Sequence, residues 1–90
     1  MRVLLFALLL ASAPALEASC ELSSARLGNQ LLKVGDSERR VLGQEPDRTV
    51  RLENRHGGAA GVRYDFYLRH KTIQVYVRGG RIAMICHIND

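Results

Sequence analysis

The 90-residue chain has no tryptophan, two prolines and two cysteines. Its two cysteines, Cys20 and Cys86, lie far apart, with no Cys-x-x-Cys and no Cys-x-x-His pair, which argues against a zinc site. It lacks a G-x-S-x-G segment and a glycine loop followed by Lys-Ser or Lys-Thr, so neither a serine-hydrolase elbow nor a phosphate loop is present. His56, His70 and His87 show no metal-ligand or catalytic spacing. The carboxylates Asp36, Glu38, Glu45, Asp47, Glu53 and Asp65 read as solvated surface groups. The length excludes a two-domain enzyme or a Rossmann or TIM scaffold. No catalytic constellation and no cofactor motif is visible, and the expectation is a protein that is not an enzyme.

What is present begins with an export pattern. Met1-Arg2 is a short basic start, Val3 to Ala11 is an unbroken apolar run, and Ser12 to Ala18 is rich in small residues. This is the layout of a secretory signal peptide over residues 1–18, with cleavage after Ala15 or Ala18. The apolar run is about half the length needed to span a bilayer. No later stretch is apolar enough to cross one, so no transmembrane segment is expected after cleavage. Residues 19–90 then form a single small domain, near the size limit at which an unaided core suffices. A bacterial lipidation signal at Cys20 would place an apolar residue three positions earlier, where Glu17 stands. Two cysteines in a small exported chain instead suggest a Cys20–Cys86 disulfide. A loop this long gives about 4 kcal/mol in chain-entropy models.

The C-terminal half carries the fold. Val62, Tyr64, Phe66 and Leu68 alternate with polar residues, as do Ile73, Val75 and Val77, and then Ile82, Met84, Cys86 and Ile88. A two-residue Arg69-His70 loop pairs Leu68 with Lys71, Phe66 with Ile73, Tyr64 with Val75 and Val62 with Val77. A two-residue Gly79-Gly80 loop pairs Val77 with Ile82, Val75 with Met84 and Ile73 with Cys86. Both registers put the apolar residues on one face, Cys86 included. His87 then falls on the opposite face. Residues 49–54 add a weak fourth strand, and 54–61 form a loop. Upstream, Gly28-Asn29 marks a turn before a short extended segment. Asp36-Ser37 starts a short helix that Gly43 and Pro46 end, with Val41, Leu42 and Val34 as its core contacts. The predicted class is α+β: an antiparallel three- to four-stranded meander covered on one face by a short helix.

The formal charge is +4 and stays so when Arg2 and Glu17 are set aside. Arg63, Arg69, Lys71, Arg78 and Arg81 cluster at the hairpins, with Tyr67 and Tyr76 on the face opposite the core. Basic residues interleaved with tyrosines suit nucleic acid, but export points away from it. An envelope protein or an anionic envelope polymer fits better, attracted over long range. The candidate binding surface is Arg63, Tyr67, Lys71, Tyr76 and Arg78.

The run from Arg26 to Ser37 resembles the R-C-G-x-x-L-V-x-x-G-D motif of small exported bacterial proteins grouped as domain of unknown function 2845. Val41 to Asp47, Val62 to Phe66 and Lys71 to Ile82 are similar to that family's later segments in order and spacing, over residues 25–85. The layout is also similar to the OmlA/SmpA outer-membrane lipoproteins and to the β-lactamase-inhibitor protein modules, which are binding modules. Leu27 stands where the family has its first cysteine, and the second family cysteine is missing. The family's pair implies a bridge of its own, which makes Cys20–Cys86 a relocated one. The resemblance implies a periplasmic or secreted bacterial protein with no assigned activity. The leading expectation is a binding or scaffold module. The alternatives are an outer-membrane lipoprotein anchored at Cys20 and accessory to envelope assembly, or a small secreted hydrolase inhibitor inserting the loop at 55–60.

Overall fold

The strongest alternation in the sequence becomes the central hairpin of the molecule. A computed structural model describes residues 18–89. In chain order it has β1 (Ala18–Leu22), β2 (Ser24–Leu27), β3 (Gln30–Lys33), α1 (Glu38–Leu42), β4 (Arg48–Glu53), β5 (Ala59–Leu68), β6 (Lys71–Arg78) and β7 (Arg81–Asn89). The expected signal segment lies outside the described residues except for Ala18, the first residue of β1. Five strands form one antiparallel sheet in the order β1-β7-β6-β5-β4, and β2 and β3 form a separate hairpin. The described residues are mostly β, 65% strand and 7% helix.

The β5–β6 register is the one the alternation predicts: Leu68 faces Lys71, Phe66 faces Ile73, Tyr64 faces Val75 and Val62 faces Val77. In the Gly79-Gly80 turn both glycines have positive φ, 62° and 79°. That is the backbone a tight primed hairpin turn requires. Beyond the turn the predicted register holds only for Val77 and Ile82. The register then shifts, so that Tyr76 faces Met84, Val75 faces Ile85, Gln74 faces Cys86 and Ile73 faces His87. Ala83 is the extra residue of a β-bulge. Ile85 therefore takes the core position expected for Met84, and it is fully buried. Met84, Cys86 and Ile88 move to the outer face, while His87 moves to the core side.

The cover of the sheet also differs from expectation. The hairpin β2–β3 turns at Gly28, at φ 62°, and lays Ala25, Leu27 and Leu32 on the core. The helix adds Val41 alone. A five-residue helix is under two turns, so only one side chain points squarely inward. Leu42 and Val34, expected as core contacts, are 52% and 45% exposed. Ser37 stands at the N-cap but its side chain makes no capping bond. The helix is positioned from the sheet instead. Gly35 N–H donates to Ile82 O, Ile82 N–H to Asp36 O, and Glu38 N–H to Gly80 O, each at 2.8 Å.

The polar stretch before Gly28 contains an edge strand. β1 pairs with β7 through Ala18–Ile88, Ser19–His87 and Leu22–Ile85. Only Leu22 of its residues reaches the core. The Cys20–Cys86 disulfide is present, with Cα atoms 3.9 Å apart. It bridges the two strands on the outer face rather than beneath the cover. No helix among the described residues is long and apolar enough to cross a membrane.

Gly61 has φ 120°, and a Cβ there would lie 2.4 Å from the Val77 carbonyl oxygen. That oxygen belongs to the backbone of the central strand and cannot yield. Gly61→Ala is expected to cost about 2 kcal/mol or more in urea denaturation; an unchanged midpoint would refute the close approach. Replacing both cysteines by serine is expected to lower stability by up to about 4 kcal/mol. Hydrogen exchange should then show β1 losing protection before β5 and β6.

Candidate functional site

Strand alternation divides the sheet into two faces. The core face carries Val62, Tyr64, Phe66, Ile73, Val75, Val77, Ile82 and Ile85 under the hairpin and the helix. The outer face carries Arg63, Asp65 and Tyr67 of β5, then Thr72, Gln74, Tyr76 and Arg78 of β6, with Met84 and Cys86 of β7 beside them. On that face Asp65, Thr72 and Cys86 are buried, Arg63, Gln74, Tyr76 and Met84 are half-buried, and Tyr67 and Arg78 are exposed. Four of the five candidate surface residues, Arg63, Tyr67, Tyr76 and Arg78, therefore share it. Lys71 does not. It faces Leu68 across the turn and has the parity of Ile73, which puts it on the margin of the core face.

The four residues differ in what they have free. Arg63 holds Asp65 in a two-pronged ion pair, Nε to Oδ1 at 2.8 Å and Nη2 to Oδ2 at 3.0 Å. Asp65 is 2% exposed, and its hydrogen bond is the main cause that raises the Arg63 guanidinium above its usual range. Arg63 is thus internally neutralised. Sequence reading missed this, although two residues apart on one strand share a face. Tyr76 sits opposite Arg63 and is half-buried. Tyr67 is 53% exposed, and its backbone N–H donates to Asp47 Oδ2 at 2.8 Å. Arg78 is exposed and has no hydrogen-bond or ion-pair partner among the described residues. It faces Arg81 across the turn, whose Nη1 donates to Gly35 O at 3.0 Å. The basic character of the outer face is therefore concentrated at its Gly79-Gly80 end.

Two hollows lie near that end. A cleft of about 220 Å³ is lined by Leu52, Ala60, Tyr76, Val77, Arg78, Ala83 and Met84. A larger one of about 420 Å³ lies between the end of β4 and the 54–58 turn, lined by Arg51, Leu52, Glu53, Gly57, Ala59, Gly61 and Val62. The turn is shaped by Asn54, whose Oδ1 accepts from His56 N–H at 2.8 Å and Gly58 N–H at 2.9 Å. Among the described residues no group of three or more His, Cys, Asp or Glu side chains could hold a metal. His87 Nε2 is buried with no hydrogen-bond partner among the described residues. No protein-family model, no curated protein and no solved structure matches the chain.

On the core face, Tyr64 donates its hydroxyl to Glu38 Oε2 and so ties the helix to the sheet. Burial, then the hydrogen bond and charge of Glu38, push its ionisation up to about 12. A free tyrosine ionises near 10, so folding favours the neutral phenol. Its contribution is whole below pH ~10 and is lost as pH rises through about 12. Absorbance titration should find a tyrosine ionising near 12 that disappears in Tyr64→Phe. That variant is expected to cost about 1–2 kcal/mol at neutral pH, and to flatten the alkaline fall in stability.

Proposed function

We propose that this protein is a periplasmic or secreted binding module that presents the outer face of its sheet to an acidic surface, on an envelope protein or an anionic polymer. The supporting observation is that this face carries exposed Tyr67 and Arg78 beside half-buried Tyr76, and that the carboxylate of Asp65 on it is already neutralised by Arg63. Exposed aromatic rings beside unpaired guanidinium groups are the composition that protein interfaces favour. The export pattern of residues 1–18 and a disulfide suited to an oxidising compartment support the location.

The lipoprotein reading loses support from the same bond. Lipid attachment needs the Cys20 sulfur, and that sulfur is joined to Cys86. The inhibitor reading has no comparable observation behind it, since Asn54 folds the 54–58 turn back on itself.

The reading is tested with immobilised polyglutamate and with an envelope extract. Arg78→Glu and Tyr67→Ala are expected to weaken retention several-fold, and added salt should weaken it for the unaltered protein. Lys71→Glu changes charge equally but on the other face and should change retention little. Equal losses in all three variants would reduce the surface to a net-charge effect and refute the assignment.

A further inference from the structure

We infer that the cleft beside Arg78 is a binding site for a small amphiphilic carboxylate, with its apolar chain in the cleft and its carboxylate on the Arg78 guanidinium. This deepens the reading of the outer face and rests on it. The cleft exists because strand regularity fails on both sides of β6. On one side Ala83 is the extra residue of β7. On the other, the β4–β5 register shifts between Leu52 and Glu53, leaving Ala60 without a partner. Both unpaired residues are alanines, and Gly61 follows the second. Small residues are poor strand formers. Beside these small residues the cleft is lined by Leu52, Tyr76, Val77 and Met84. Bulges favour sites where a sheet must re-aim side chains toward a ligand.

Charge decides what fits. Among the described residues that line this cleft only Arg78 is charged, and it has no described partner. Arg81 lies across the turn from it, and no carboxylate among the described residues lines the cleft. The larger hollow carries Arg51 and Glu53 together and so selects neither sign. A volume of about 220 Å³ corresponds to roughly seven water-sized groups, the scale of a medium-length alkyl chain. An anion here gains a charge-assisted hydrogen bond while its chain leaves water.

The probe is decanoate below its micelle concentration, with decylammonium as the cation of equal chain length. Decanoate is expected to shift the NMR signals of the Met84 methyl and the Tyr76 ring, and decylammonium to leave them in place. Arg78→Gln should weaken binding about tenfold or more. Ala83→Leu, or Ala60→Leu if the first unfolds, should abolish it while raising or preserving the melting temperature. Shifts of equal size with both probes, shifts confined to other residues, or undiminished binding in the filled variants would overturn the inference. If decanoate fails while Arg78→Glu still weakens polyglutamate retention, the cleft site is wrong and the outer-face reading stands. If both fail, the outer-face reading falls with it.

Discussion

Strand side chains alternate with a period of two, and a single extra residue reverses every side chain that follows it. In β7 that residue is Ala83, and much of the molecule depends on it. Before it, Ile82 faces the core opposite Val77; after it, Ile85 faces the core opposite Val75. Both isoleucines are buried, so the core uses two branched side chains where uninterrupted alternation would supply one and a methionine. The reversal also sends Cys86 to the outer face, where it meets Cys20 from β1. Without the bulge Cys86 would lie opposite Ile73 inside the core and the edge strand would lose its bond. One inserted residue thus sets the composition of the core, the position of the disulfide and the hollow on the outer face.

The edge of β7 is covered by two different segments, and this explains the arrangement of the layers. Near its start, residues 35–38 bond to Gly80 and Ile82; near its end, β1 bonds to residues 85–88. Between these two stretches the chain makes the β2–β3 hairpin, which folds over the core face and buries Leu27 and Leu32. The helix then begins directly above Tyr64, whose hydroxyl meets Glu38. A cover of this size needs no long helix. β1 contributes little apolar burial, since only Leu22 reaches the core. Its attachment relies on main-chain bonds and the disulfide.

The parts of this fold that could be read in the sequence share one property: two independent signals agreed. The β5–β6 hairpin had alternation on both strands and a loop length that fixed a single register. The disulfide had a cysteine count that allowed one pairing. The bulge had no such agreement, because Ile82, Ala83, Met84 and Ile85 are consecutively apolar and either phase leaves an apolar residue on the core. β1 carries the sequence ASCEL, with no alternation to reveal it. The β2–β3 hairpin was visible only as its Gly28-Asn29 turn. At the candidate site two signals were available and unused: Lys71 has the parity of Ile73, and Arg63 and Asp65 are two apart on one strand. Both follow from the same alternation that revealed the strands. The cleft was out of reach, since it arises from register shifts in two strands that are not neighbours.

The outer face combines rigidity with incomplete packing. Its centre is fixed by the Arg63–Asp65 pair, held by two bonds of 2.8 and 3.0 Å, and by the disulfide next to Gln74. A largely buried ion pair contributes little net stability, because desolvation opposes the attraction. Its geometry nevertheless holds Arg63 in one orientation, against Tyr76 on the neighbouring strand. The Gly79-Gly80 end is held by bonds to residues 35–38, with no ion pair or disulfide among the described residues. There Arg78 and Arg81 face each other across the turn, a like-charged pair that works against the hairpin. Alanines occupy the bulges beside it, where larger apolar residues would add contacts. A small domain with a limited core gains nothing for stability from these choices. They make sense together if an anion supplies the charge and an apolar group supplies the contacts. A hollow held open by a rigid frame would then bind without first paying to reorganise.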